Sequence, residues 1–127
     1  MQLAKLSGLK VFGIAGAGSQ IAKEFGADEV VDYRNYSNDQ LAETLEKEFT
    51  SKKITKVYDA VSSKETQAFL AKALQSSGGE ITVVLQVHDV DPAIQNVRVL
   101  QTLVGTAYPK YDDGDKQNSE FAAKWYK

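Results

Sequence analysis

Short apolar runs alternate along this chain with segments whose apolar positions recur every three or four residues, a pattern that predicts strands joined by helices. QLAKLSG places Leu3 and Leu6 on one face and reads as the last turns of a helix stopped by Gly8. Lys10 to Ala15, LKVFGIA when Leu9 is included, is an apolar run bounded by glycines and suits a buried strand. Gly18-Ser19 is expected to cap a short helix carrying Ile21, Ala22 and Phe25, which Gly26 ends. Glu29 to Asp32, EVVD, then reads as the next strand.

Ser37-x-x-Gln40 has the spacing of a capping box, and the helix it opens lines up Leu41, Leu45 and Phe49 as one stripe. After a polar loop, Lys56 to Val61 (KVYDAV) is a strand, and Ser62-x-x-Glu65 predicts a second capping box opening a helix with Ala68, Phe69, Ala73 and Leu74. Ser76 to Gly79 closes that helix. Glu80 to Val87 (EITVVLQV) and Asn96 to Val104 are further strands, separated by a loop containing Pro92. A polar stretch, DDGDKQNS, leads to a final helix from about Ser119.

A parallel pair of strands cannot be joined by a tight turn, so strands alternating with helices at this spacing indicate an α/β fold with crossover helices. The length of 127 residues suits a single domain, and 43% hydrophobic against 25% charged residues is a composition that folds. A formal charge of -2 with no long run of one sign gives no footprint for nucleic acid. No apolar run approaches the roughly 20 residues of a membrane helix, so the expectation is a cytoplasmic protein without a membrane partner. There is no cysteine and only one histidine, His88. Thiolate zinc sites, cysteine nucleophiles and multi-histidine cages are therefore excluded, and no metal is expected.

The succession QLAKLSGLKVFGIAG, FGADEVVDYR, KVYDAV and GGEITVVL closely resembles the medium-chain dehydrogenase/reductase superfamily. It is most similar to the zinc-independent quinone-oxidoreductase and enoyl-reductase branch, especially its fungal members. The Gly-Ala-Asp of residues 26–28 and the Asp-Tyr-Arg of residues 32–34 are its most specific parts. VRVLQTLVGTAYP and EFAAKWY are also similar to the fungal branch. The resemblance implies a partial Rossmann-type, doubly wound parallel sheet whose first strand and glycine-rich phosphate loop would precede Met1. The first strand lies centrally in the order 3-2-1-4-5-6, so its absence is expected to split the sheet and leave the chain prone to aggregation.

The resemblance also supplies candidate cofactor-binding residues. Gly16-Ala17-Gly18-Ser19 follows a strand and opens a helix, but Ile21 stands where a dinucleotide fingerprint needs its third glycine, so this is read as a ribose edge. No acidic residue occurs between Met1 and Lys23. An acid at that strand end would bind the ribose hydroxyls of NADH and repel a 2′-phosphate, so NADPH is expected over NADH, with Gly16 allowing close approach and Ser19 donating to the 2′-phosphate. Lys23 is the nearest cation beyond the strand. Tyr33, expected to end its strand, matches a family tyrosine beside the adenine, while Arg34 would point the other way. Ala60, Val61 and Ser62 would line the crevice, with Ser62, where the family commonly has glycine, doubling as a helix cap. Leu85, Gln86, Gly105 and Thr106 are weaker candidates.

The implied function is the cofactor domain of an NADPH-dependent oxidoreductase that delivers hydride to quinones, enones or related carbonyl compounds, with homo-oligomers possible in the full-length family. No catalytic residue is assigned, because substrate-side groups would belong to another domain. The alternative is a noncatalytic remnant with little cofactor binding. A phosphate-accepting receiver domain would use Asp59 but lacks the early acidic pair needed for Mg²⁺. His88 and Asp112 to Asp115 read as solvated loop, and Trp125 and Tyr126 as helix packing.

Overall fold

The computed structural model describes residues 1–102. In chain order they form α1 (Gln2–Leu6), β1 (Phe12–Ala15), α2 (Ser19–Glu24), β2 (Glu29–Asp32), a 3₁₀ turn (Tyr33–Asn35), α3 (Asn38–Lys52), β3 (Lys56–Asp59), α4 (Lys64–Leu74), β4 (Gly79–Val83) and β5 (Val97–Gln101). All strand pairs among them are parallel. The chain is therefore α/β, as its patterning predicts. The described residues gather into two compact units, 1–43 and 44 onward, with the division inside α3.

The first unit holds a two-stranded sheet, β1 beside β2, with Phe12 opposite Glu29 and Ala15 opposite Asp32. Both short helices end in the same way. After α1 the N–H groups of Gly8 and Leu9 donate to Lys5 and Ala4, and after α2 those of Gly26 and Ala27 donate to Lys23 and Ala22. This is the Schellman closure, and Gly26 meets its demand for a left-handed residue with a φ of +100°. The segment that follows explains Gly26-Ala27-Asp28. Ala27 is buried, and the Asp28 carboxylate accepts from the Val11 N–H at 2.6 Å and from the Lys5 ammonium at 2.7 and 2.8 Å. Lys5, then the Val11 amide, hold that carboxyl below its usual range. Because Val11 donates to a side chain, β1 starts at Phe12 and not at Lys10.

The second unit holds a three-stranded sheet in the order β3-β4-β5. Among the described residues, these neighbour relations are those of strands 3-2 and 4-5-6 in the doubly wound order. Lys56, Glu80 and Arg98 stand opposite one another across the three strands, and Glu80 pairs with both cations. Leu70, Ala71, Ala73 and Leu74 of α4 are buried together with Ile81 and Val83 of β4, Val97 of β5 and, from α3, Leu45 and Phe49. The Ser37 capping box of α3 is present: the Gln40 side chain accepts from the Ser37 N–H at 3.1 Å, and Ser37 Oγ from the Gln40 N–H at 3.3 Å. Among the described residues no helix is long and apolar enough to cross a membrane. The final helix expected from Ser119 lies outside the described residues.

Candidate functional site

Ligands of open parallel sheets lie beyond the carboxyl ends of the strands, so the candidate residues are best considered strand end by strand end. In the first unit β1 ends at Ala15 and the chain turns through Gly16. Ser19 Oγ donates to the Gly16 carbonyl at 2.6 Å, and the Ser19 N–H reaches the same oxygen at 3.0 Å. The N-cap of α2 is Gly18, with no side-chain bond. Ser19 thus closes the turn behind the helix and does not cap it, which corrects the paired Gly18-Ser19 expectation.

Tyr33 lies just past β2, which ends at Asp32, and opens the 3₁₀ turn. Its ring lies against Gly16: a Cβ at residue 16 would sit 2.9 Å from Cε1, Cζ and the hydroxyl oxygen. Gly16 is buried beneath it while Tyr33 stays half exposed. The structure thereby brings two sequence candidates into contact at adjacent strand ends. Arg34 does not follow the strand alternation expected of it, because the turn folds it back onto Asp32. Its backbone N–H and Nε reach Oδ1 at 3.0 and 2.9 Å, and Nη2 reaches Oδ2 at 2.6 Å. That fork lowers the Asp32 pKa and raises that of Arg34. The end of β1 and its turn carry no carboxylate at all.

In the second unit β3 stops at Asp59, two residues before the expected Val61. The buried Asp59 carboxylate is the cause. Its Oδ1 accepts from the N–H groups of Val61 at 3.0 Å and Ser62 at 2.9 Å, and its Oδ2 from the Thr66 hydroxyl at 2.6 Å. The side chain thus bends the chain as an Asx turn would. Ala60 and Val61 are left exposed at the strand end, and Ser62 is buried with a φ of +56°. That left-handed backbone accounts for the glycine that the resemblance leads one to expect at this position.

Ser62 Oγ donates to the Asp59 carbonyl at 2.8 Å and accepts from the Val84 N–H at 2.9 Å. It is therefore not the cap of α4. Ser63 is, in a capping box with Thr66. Because the Val84 N–H turns to Ser62, β4 ends at Val83 rather than running to Val87. Leu85 and Gln86 follow in an exposed segment, while Gly105 and Thr106 lie outside the described residues. Sequence reasoning passed over three residues that shape this end of the unit. Asp59 reads in the sequence only as a phosphate-acceptor candidate, and Thr66 and Gln67 carry no site signal there. The Asp at the strand end was a readable turn signal, whereas Gln67 carries no motif.

Among the described residues no three His, Cys, Asp or Glu side chains converge to hold a metal ion, and the whole chain lacks cysteine. The donor set does not fit zinc. A nucleotide fits better, since a half-exposed Tyr33 ring lies against Gly16 at the strand ends, where the absence of a Cβ admits it.

Residues 1–111 match the family described as zinc-binding dehydrogenase. Over 130 residues the chain is 30% identical to the trans-enoyl reductase ACTTS2 of Alternaria alternata, covering all of this chain and 37% of that protein. Over 136 residues it is 33% identical to the trans-enoyl reductase FSL5 of Gibberella zeae, covering 99% of this chain and 36% of that protein. The chain thus spans little more than a third of these curated relatives.

Proposed function

We propose, since this chain belongs to the zinc-binding dehydrogenase family of the medium-chain dehydrogenase/reductase superfamily, that it forms the nucleotide-binding part of an NADPH-dependent reductase of quinones, enones or related activated carbonyl compounds. The observation that carries the reading is the half-exposed Tyr33 ring seated on Gly16 at the carboxyl ends of two parallel strands. An aromatic face with a hydroxyl at its tip suits an adenine and a neighbouring 2′-phosphate. Gly16, Gly18 and Ser19 would hold the ribose edge, with the Ser19 hydroxyl turning from the Gly16 carbonyl to the phosphate. Within the second unit, Ala60 and Val61, exposed just past β3, are the further candidates for cofactor contact. Bound nicotinamide would supply the hydride chemistry, and this chain's residues would orient the cofactor.

NADPH is favoured over NADH because the β1 end offers no carboxylate to ribose hydroxyls, and the nearby Asp32 is already forked by Arg34. Residues 1–127 would form one domain of a cytoplasmic protein, without zinc and without a nucleic-acid partner. The second reading, a chain with little cofactor affinity, is favoured by the division of the described strands between two sheets. Calorimetric titration of the intact protein with NADPH and NADH separates the readings. Saturable binding that is tighter for NADPH supports the first, and absence of heat with either nucleotide supports the second.

A further inference from the structure

Gln67 sits on α4 with its side chain fully buried, an unusual place for an amide unless every polar atom is matched. Its partners lie on two different strand ends. Nε2 donates to the Ser62 carbonyl at 3.3 Å and to the Gln86 carbonyl at 2.8 Å, and Oε1 accepts from the His88 N–H at 2.8 Å. Ser62 closes the turn after β3, and Gln86 and His88 belong to the segment after β4. These strands are parallel neighbours, with Asp59 opposite Val83. One amide therefore sets the distance between the two segments that leave the carboxyl edge of this sheet. Ser62 Oγ, bonded to the Val84 N–H, adds a second tie between them.

We infer that Gln67 is a positioning residue that fixes the width of the crevice between the β3 and β4 ends and so pre-forms the surface receiving the cofactor. This role rests on the nucleotide-binding reading above. Gln67 touches no cofactor itself. It acts through the backbone of Ser62, Gln86 and His88, and an amide is the side chain of this size that can both donate to two carbonyls and accept from an N–H. Apolar replacement keeps the volume and removes one hydrogen bond from each of three backbone groups. The segment after β4, exposed at Leu85 and Val87, would then detach from α4 while the core beneath stays filled.

The test uses the intact protein and the variant Gln67→Met, with His88→Pro as a second variant that removes the N–H donated to Oε1 and fixes φ at residue 88 while leaving the buried amide itself in place. NADPH dissociation constants are measured beside residue-resolved amide hydrogen exchange, at a temperature where each protein remains folded by near-ultraviolet circular dichroism. Loss of these bonds is expected to raise the NADPH dissociation constant about tenfold in Gln67→Met, and less in His88→Pro. Exchange at Val84 should accelerate in both variants, and at His88 in Gln67→Met, while Ile81 and Val83 keep wild-type rates. Faster exchange with an unchanged dissociation constant overturns the positioning role and leaves the nucleotide reading standing. Weaker binding with unchanged exchange also overturns it, since the effect would then bypass the clamp. Failure of the wild-type protein to bind NADPH removes the nucleotide reading and this role with it.

Discussion

Tyr33 and Gly16 show how a candidate residue acquires meaning from its neighbour. Either alone is an ordinary residue at a strand end, but a side chain at position 16 would collide with the ring. Gly16→Val should displace the half-exposed ring without disturbing the core. It is expected to raise the NADPH dissociation constant about tenfold while leaving the thermal midpoint within a few degrees of wild type. Unchanged affinity would show that the contact is not part of the site. Ser62 makes a different case, because its hydroxyl and its backbone pull in opposite directions. Ser62→Ala leaves the Val84 N–H unmatched at a cost of about 1–3 kcal/mol. Ser62→Gly loses the same bond but regains roughly 1 kcal/mol from the left-handed backbone. Urea midpoints should therefore fall in the order wild type, Gly, Ala, and an alanine variant more stable than glycine would refute this balance. Tyr33 and Gly16 were both candidates on sequence and the structure puts them in contact, whereas Gln67 gave no signal, because its partners are backbone groups distant along the chain.

At the level of elements, hydrophobic patterning located each described helix and strand, and the departures lie at their ends. Side chains took over backbone groups that the ladder would otherwise use. Asp28 took the Val11 N–H, Asp59 those of Val61 and Ser62, and Ser62 that of Val84. Periodicity does not encode such competition. Parallel register created the Lys56-Glu80-Arg98 row, which the sequence disperses over forty-three positions. Lys56, then Arg98 through its charge, lower the Glu80 pKa from 4.5. A carboxyl whose folded pKa is depressed stabilises the fold above its unfolded pKa and loses that contribution as pH falls through the folded value. The wild-type protein should thus be more stable than Glu80→Gln at neutral pH, with the gap closing progressively below about pH 4.5. Urea titrations over that range check this, and a gap that widens on acidification would contradict it. Gly79 sets a second constraint on this sheet, since its φ is +148° and an added Cβ would press into the Thr55 carbonyl. Gly79→Ala should lower the urea midpoint markedly, and a wild-type midpoint would show that the β3–β4 entry can relax.

On the scale of the whole molecule, the alternation of strands and helices was enough to give the α/β class, and the family resemblance supplied the strand order. Among the described residues β1 pairs only with β2 and β3 only with β4, and Tyr58 on β3 and Leu3 and Leu6 on α1 are largely exposed. Open parallel edges beside apolar side chains favour association with other chains. The 127-residue chain expressed alone should show concentration-dependent light scattering. A monomer with a sharp, reversible thermal transition would argue that these edges are covered.

The central claim is that the Tyr33 ring seated on Gly16 receives the adenosine end of NADPH. Amide and tyrosine-ring resonances followed during an NADPH titration test it most directly. The account predicts that Gly16, Ser19 and Tyr33 shift together with a single dissociation constant. Shifts confined to other surfaces, or no shift at these residues at saturating NADPH, would contradict it.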